Sequence, residues 1–142
     1  MALSIDDRLA LNELYARYAY AFDGGDADEW CALFTPDGSF VLPDGSAVTG
    51  TAALRQFVVD RTGEAPGMRH LIANILLDEN ADGARGRAYF LAFRLGGDGK
   101  FRLRNFGRYE DEFVRSGGAW RISSRRVVAE LPLELVDAPF QF

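Results

Sequence analysis

Two side chains of this sequence are suited to proton transfer, the imidazole of His70 and the carboxylate of Asp23. His70 is the single histidine, and imidazole is the side chain whose ordinary pKa lies nearest to neutral pH. It lies in an apolar run at 68–77 that has the composition of a buried strand. A histidine there is either a hydrogen-bonded core residue or a general base, and its position alone leaves both interpretations open.

Asp23 lies at the end of a predicted helix, directly before Gly24 and Gly25. The C-terminus of a helix carries partial negative charge, which disfavours a carboxylate there by about 0.3–1 kcal/mol. A residue placed against a local preference is a candidate functional residue, and the alternative is a solvated aspartate in a turn. Together, Asp23 and His70 would supply the groups for general acid/base catalysis.

Other residues could bind a substrate next to this pair. Tyr18 places a hydroxyl on an apolar helix face, although helix geometry puts it roughly 140° around the axis from Asp23. Asn74 shares a strand face with His70, and Asn105 lies in a later strand; either amide could hold a substrate oxygen or satisfy buried backbone groups. The candidate site has Asp23 and His70 for the chemistry and, around them, Tyr18, Phe22, Trp30, Asn74 and Asn105.

Composition limits the function classes. The 142 residues are 48% hydrophobic and include eleven Phe, which predicts one globular domain over 1–142 whose rings fill a core or line a cavity. The net charge of −5 comes with scattered basic residues, so we expect no nucleic-acid partner. One cysteine and one histidine exclude an intramolecular disulfide and the common metal motifs. No apolar run approaches membrane-spanning length, and we expect a cytoplasmic protein without metal or cofactor.

Turn residues and hydrophobic spacing predict three helices followed by strands. Such an order is typical of an α+β fold in which helices pack on one face of a curved, mostly antiparallel sheet. The predicted helices run from Ser4 to Gly24-Gly25, from Asp26 to near Pro36, and from Thr49 or Thr51 to Gly63; a short strand covers 40–42, and four longer strands cover 68–77, 84–95, 100–115 and 119–130.

Several segments carry a family resemblance. The segments are Leu14–Asp26 with Trp30 and Leu33-Phe34, Arg69–Asn74, Gly107–Asp111 and Gly118–Ile122. Over residues 5 to 130, they resemble the SnoaL-like branch of the nuclear-transport-factor-2-like superfamily. The resemblance implies a cone-shaped fold in which three N-terminal helices cover a strongly curved sheet around an apolar cavity.

Within that superfamily, the chain is most similar to the group of scytalone dehydratase, bile-acid dehydratase and hexachlorocyclohexane dehydrochlorinase. In those enzymes an Asp ending the first helix pairs with a His on the sheet, and Asp23 and His70 match these two positions. The resemblance implies that His70 is the general base, that Asp23 orients it, and that Tyr18 binds an oxyanion or leaving group, with no cofactor.

The sequence also departs from the group. It has no second histidine, Phe22 stands where scytalone dehydratase has a tyrosine, and neither Arg125 nor Arg126 falls in register with the strand arginine of the relatives. A ketosteroid isomerase is disfavoured because its base would fall near Leu42.

The resulting hypothesis is a cofactor-independent lyase or isomerase, of dehydratase or cyclase type, acting on a small hydrophobic cyclic or polyketide-like substrate. One alternative is a structural subunit like the small subunit of aromatic-ring hydroxylating dioxygenases, which the Arg69–Asn74 segment also resembles. Another is a simple binder of hydrophobic ligands. We also expect a homodimer or larger homo-oligomer, because Phe90, Phe93, Phe101 and Phe106 exceed the surface that one helical layer covers.

Overall fold

A computed structural model describes residues 2–64 and 67–130. Its helices and strands follow the predicted order, helices first and a meander of long strands second. The helices are α1 (Ile5–Gly24), α2 (Ala27–Ala32) and α3 (Thr51–Glu64), and the strands are β1 (Phe34–Val41), β2 (Ala47–Thr49), β3 (Met68–Glu79), β4 (Ala84–Leu95), β5 (Phe101–Ser116) and β6 (Ala119–Ala129).

The first helix begins and ends where the sequence predicts. The Ser4 side chain accepts a hydrogen bond from the Asp7 amide, and Asp7 in turn accepts one from the Ser4 amide, which together form a capping box. At the other end Gly25 adopts a left-handed conformation with φ 71°, which glycine takes without strain. Leu11, Leu14, Tyr15, Tyr18 and Phe22 form the buried stripe.

The second helix is shorter than predicted. It stops at Ala32, and Phe34 begins β1 instead of continuing the helix. The reason is tertiary, because the Ile122 amide donates to the Leu33 carbonyl and Phe34 pairs in parallel with β6. The turn-like segment Pro36-Asp37-Gly38 is an irregularity within β1, where the register with β6 shifts between Phe34 and Ser39.

The six strands form one sheet in the order β2-β1-β6-β5-β4-β3, which curls without closing. Every neighbouring pair is antiparallel except β1 with β6. The three-residue β2 and the predicted 68–77 strand, seen as the twelve-residue β3, are therefore the two edges. These features confirm the predicted α+β fold with helices packed on a curved sheet.

The core is built around one tryptophan. Trp30 is fully buried, and rings of Tyr18, Phe22, Phe34 and Phe40 pack on it with centroid distances of 4.7–5.7 Å. Such aromatic pairs stabilise a core beyond the burial of their area. Much of the aromatic surplus of the sequence therefore serves core packing.

The sequence predicted four phenylalanines in excess of what the helices cover, and the structure agrees with this only in part. Phe90 does not contribute to this excess, since that ring is 2% exposed and stacks on Tyr109 at 4.4 Å. Phe101 is half exposed, and Phe93 and Phe106 are partly buried. The homo-oligomer stays a prediction, and the apolar tail after Pro132 lies outside the described residues. Among those residues, no helix is both long and apolar enough to span a membrane.

Candidate active site

Asp23 and His70 are in direct contact. Oδ1 of Asp23 lies 2.6 Å from Nδ1 of the His70 ring, and Oδ2 accepts a hydrogen bond of 2.8 Å from the His70 backbone amide. Both side chains are about nine-tenths buried. A carboxylate at Nδ1 favours the tautomer that carries its proton there, which leaves Nε2 with a lone pair that can accept a proton.

The fold explains why a carboxylate is stable at the end of α1. β3 is an edge strand, so alternate amides, among them that of His70, point away from β4 and need other acceptors. The two donors of His70 compensate the unfavourable position of Asp23 in the helix dipole. The local conflict visible in the sequence is therefore resolved by a long-range contact.

His70 separates an inner cavity from an outer groove. The outer groove lies between α1 and β3 and is lined by Asp23, Tyr20 and Leu71 among others. The inner cavity has a volume of about 370 Å³, and Tyr18, Phe22 and His70 line it while Asp23 does not. Because Asp23 holds Nδ1 from the groove side, Nε2 is the nitrogen on the cavity side. This volume lies within the ~300–1,000 Å³ range of small-molecule sites.

The cavity floor contains two tyrosines above a buried ion pair. Tyr18 and Tyr109 line the cavity and share a hydrogen bond between their hydroxyl groups. Behind them, the fully buried guanidinium of Arg125 lies 4.1 Å from the Tyr18 ring centroid and 4.3 Å from that of Tyr109. Asp111 accepts hydrogen bonds from Nε of Arg125 at 2.7 Å and from its Nη2 at 2.8 Å, and the Tyr15 hydroxyl donates a third at 2.5 Å.

These surroundings fix the protonation of the floor. Burial raises the pKa of Tyr18, while Arg125 and the hydrogen bond with Tyr109 act in the opposite direction. Burial and the neighbouring Tyr18 raise the pKa of Tyr109 well above its ordinary value. Burial lowers the pKa of Arg125, but Asp111 outweighs it and the guanidinium keeps its charge. The neutral phenol of Tyr18, which accepts from Tyr109 and is backed by the Arg125 cation, can donate its own hydrogen bond to a negatively charged oxygen.

A SnoaL-like domain model matches residues 3–126 of the chain. The chain belongs to the SnoaL-like family. An uncharacterised protein of Mycobacterium tuberculosis is 28% identical over 123 residues, which cover 85% of this chain and 84% of that protein.

Solved structures of Novosphingobium aromaticivorans proteins share the fold of this SnoaL-like chain. A candidate aromatic ring hydroxylase is 28% identical with a TM-score of 0.82, over 96% of this chain and 95% of that one. A candidate scytalone dehydratase is 22% identical with a TM-score of 0.80, over 89% and 86%. The beta subunit of a candidate aromatic-ring-hydroxylating dioxygenase is 25% identical with a TM-score of 0.71, over 92% and 95%.

The structure of this SnoaL-like domain brings five of the seven predicted site residues together. Tyr18, Phe22, His70 and Asn105 line the cavity, and Asp23 holds the histidine from behind. Two residues lie elsewhere. Trp30 supports the cavity from within the core without lining it. Asn74 is exposed and does not line the cavity.

A β-bulge displaces Asn74. Between the pairs Ala73–Tyr89 and Leu76–Arg87, two residues of β3 oppose one of β4, and Asn74 has a positive φ of 54°. The extra residue breaks the alternation on which the shared face with His70 depends. Asparagine tolerates this backbone conformation better than most residues, so its type was the available signal.

The sequence did not predict that Asp111 and Arg125 belong to the site, nor that Tyr109 has a role in it. Asp111 and Tyr109 share the buried face of β5, so an acid on an otherwise apolar face was a visible signal. Arg125 was hidden by a second bulge, because Glu112 pairs with Ser124 while Phe113 pairs with Ile122. The extra Ser123 shifts the alternation of β6 and turns Arg125 inward. Over the described residues, no three histidine, cysteine or acidic side chains cluster as metal ligands would.

Proposed function

We propose that this protein is a cofactor-independent lyase or isomerase in which Asp23 and His70 carry out general acid/base chemistry on a small hydrophobic cyclic or polyketide-like substrate. The observation that supports it is the 2.6 Å contact from Asp23 to Nδ1 of a histidine that lines an apolar cavity. A base held in one tautomer beside a cavity that is apolar in its interior is the arrangement that proton abstraction from carbon requires.

In an elimination, Nε2 of His70 accepts the proton of a C–H bond next to a carbonyl group. The electron pair of that bond forms the carbon–carbon double bond as the C–O bond to a leaving hydroxyl breaks, and the proton on Nε2 leaves with the hydroxyl as water. Asp23 stabilises the transient imidazolium through Nδ1–H. Tyr18 donates a hydrogen bond to the carbonyl oxygen, where negative charge develops.

An isomerisation uses the same groups. His70 returns its proton to another carbon of the same substrate, and a hydrogen bond from Tyr18 stabilises the intervening enolate. The fold shared with a candidate scytalone dehydratase agrees with either reaction.

The test uses a tetralone with a hydroxyl group β to its carbonyl, because loss of water converts it to the fluorescent product naphthol. We expect turnover by the wild type and a loss of about a hundredfold or more in His70→Ala, the usual contribution of a general base. In Asp23→Asn the new amide donates to Nδ1, which moves the ring proton to Nε2 and blocks proton acceptance.

The matched control is Asp37→Asn, which removes an exposed carboxylate of β1. It should keep wild-type turnover. Thermal unfolding of each variant separates lost chemistry from lost structure. Wild-type turnover in folded His70→Ala would refute the proposal. The proposal would also be refuted if the wild type neither dehydrated the tetralone nor catalysed deuterium exchange into any of a panel of cyclic ketones.

A non-catalytic subunit is the second candidate, and the likeness to a dioxygenase beta subunit favours it. Its test is purification of the tagged chain from its native cells followed by mass spectrometry. A Rieske-iron large subunit in stoichiometric amount would support that role. Its absence, together with turnover that depends on His70, would support the enzyme.

A further inference from the structure

The mouth of the cavity differs in charge from the cavity interior. The buried residues of the lining, including Phe22, Phe40 and Phe90, are apolar or aromatic. The exposed or half-buried positions around the opening include Arg61 of α3, Arg94 of β4 and Arg104 of β5. No aspartate or glutamate of the described residues lines this cavity, although the chain has 21 acidic and 16 basic residues.

The backbone directs two of these arginines to the opening. Phe90, Ala92 and Arg94 continue one inward-facing row of β4. On β5, Ala92 pairs with Asn105 while Phe93 pairs with Leu103, so Arg104 is the extra residue of a bulge. Neighbouring residues of a regular strand face opposite sides, whereas Arg104 and Asn105 both line the cavity because of that bulge.

The third arginine comes from the helical side. Arg61 is exposed near the end of α3, and its guanidinium lies 5.3 Å from the centroid of the Phe57 ring, which also lines the cavity. This contact keeps the cation at the opening. Three cations from three elements thus surround one entrance.

The outer face of the same sheet is arranged differently. There Arg85 pairs with Glu112 at 2.9 Å, and Arg108 contacts Glu110 and Glu130 at 3.1 and 2.5 Å. Arginines of the outer face alternate with acids, which is typical of a solvated surface. Among the described residues that line the cavity, Arg61, Arg94 and Arg104 come from three elements and no acid is present, and like charges placed together at a concave opening raise the local positive potential.

We propose that the substrate of this site carries an anionic group, a carboxylate or a phosphate, bound at the mouth by Arg61, Arg94 and Arg104 while its apolar ring system occupies the interior near His70. The inference rests on the proposed function for the chemistry inside, and it adds the class of molecule that enters. A guanidinium has five N–H donors, so an arginine that already has one partner can still bind an oxyanion.

The test measures binding without turnover. Three probes share one ring skeleton, namely naphthoate, naphthyl phosphate and the uncharged naphthamide, and isothermal calorimetry gives their Kd values for the intact protein. We expect at least one anion to bind about tenfold or more tightly than naphthamide, with an advantage that falls as salt rises. The tighter of the two anions identifies the group.

Arg61→Gln and Arg104→Gln change exposed side chains, and each should reduce the preference for the anion about tenfold while the affinity for naphthamide stays the same. The matched control is Arg87→Gln, an exposed arginine of the outer face, which should keep the wild-type preference. Equal affinities for anions and amide, no binding of any probe, or an unchanged preference in both mouth variants would overturn the inference.

The same titrations on His70→Ala separate the two proposals. If His70→Ala loses turnover but keeps the wild-type preference for the anion, the result supports both the elimination chemistry and the anion site. A charge preference without turnover in the wild type refutes the elimination chemistry and keeps the anion site.

Discussion

Asp111→Asn is the substitution that tests the floor of the cavity most directly. Asp111 is 1% exposed and accepts three hydrogen bonds, two from Arg125 and one from Tyr15. The asparagine keeps the shape of the side chain but removes its charge. Arg125, itself fully buried, then has no carboxylate to compensate its cation, and one of its guanidinium donors faces an amide N–H.

The size of the effect follows from this burial. Breaking a buried pair by removing one partner costs about 3–5 kcal/mol, because the remaining charge stays in a medium of low dielectric constant. For a domain of this length, such a loss lowers the Tm by roughly 10–20 °C. The ring contacts of Arg125 with three tyrosines compensate only in part, since a desolvated cation–π contact contributes about 2 kcal/mol.

Urea unfolding monitored by circular dichroism measures this loss of free energy. The control is the triple variant Tyr15→Phe, Asp111→Leu and Arg125→Met, which removes the charges and the donor together. We expect it to unfold within about 2 kcal/mol of the wild type, because an apolar replacement of a buried pair is often neutral. A loss below about 1 kcal/mol in Asp111→Asn, or an equal loss in both variants, would contradict the reasoning.

Two further predictions concern the same region. Burial raises the pKa of Tyr15, Tyr18 and Tyr109 above their ordinary value. Their contribution to the free energy of unfolding should therefore stay constant below about pH 10 and fall above it, where the unfolded chain ionises its phenols first. Urea unfolding across that range, with tyrosinate absorbance, checks this, and a stability that rises with pH would contradict it. Gly86→Ala would place a methyl group in a steric clash with the Tyr15 hydroxyl and the Phe113 ring, so a loss of about 1–3 kcal/mol is expected in the same assay. Gly97→Ala, with open space around it, is the control.

The sequence predicted the order of the elements because their signals are local. Caps, glycine turns and hydrophobic spacing define α1 and the four long strands to within two residues at either end. Phe34 shows the limit of this reasoning, since its spacing fits a helix and its hydrogen-bonded neighbours in β6 lie almost ninety residues away.

The contact of Asp23 with His70 was predictable from two conflicts, a carboxylate at a helix C-terminus and an imidazole on an apolar strand. Tyr18 and Asp23 lie roughly 140° apart around the axis of α1, yet both belong to the site. Tyr18 lines the cavity, while Asp23 contacts the imidazole from the other side. Asn74 and Arg125 were misplaced for one reason. Each lies beside a bulge, and a single extra residue reverses the facing of everything after it on that strand.

The two hydrogen bonds of Asp23 have a consequence for protein engineering. One oxygen orients the imidazole, and the other accepts from an amide of the edge strand, so a single carboxylate both positions the proposed base and connects β3 to α1. Consider a library that randomises position 23 and is screened only for turnover. It would not distinguish variants in which the imidazole is no longer oriented from variants in which β3 is no longer held against α1.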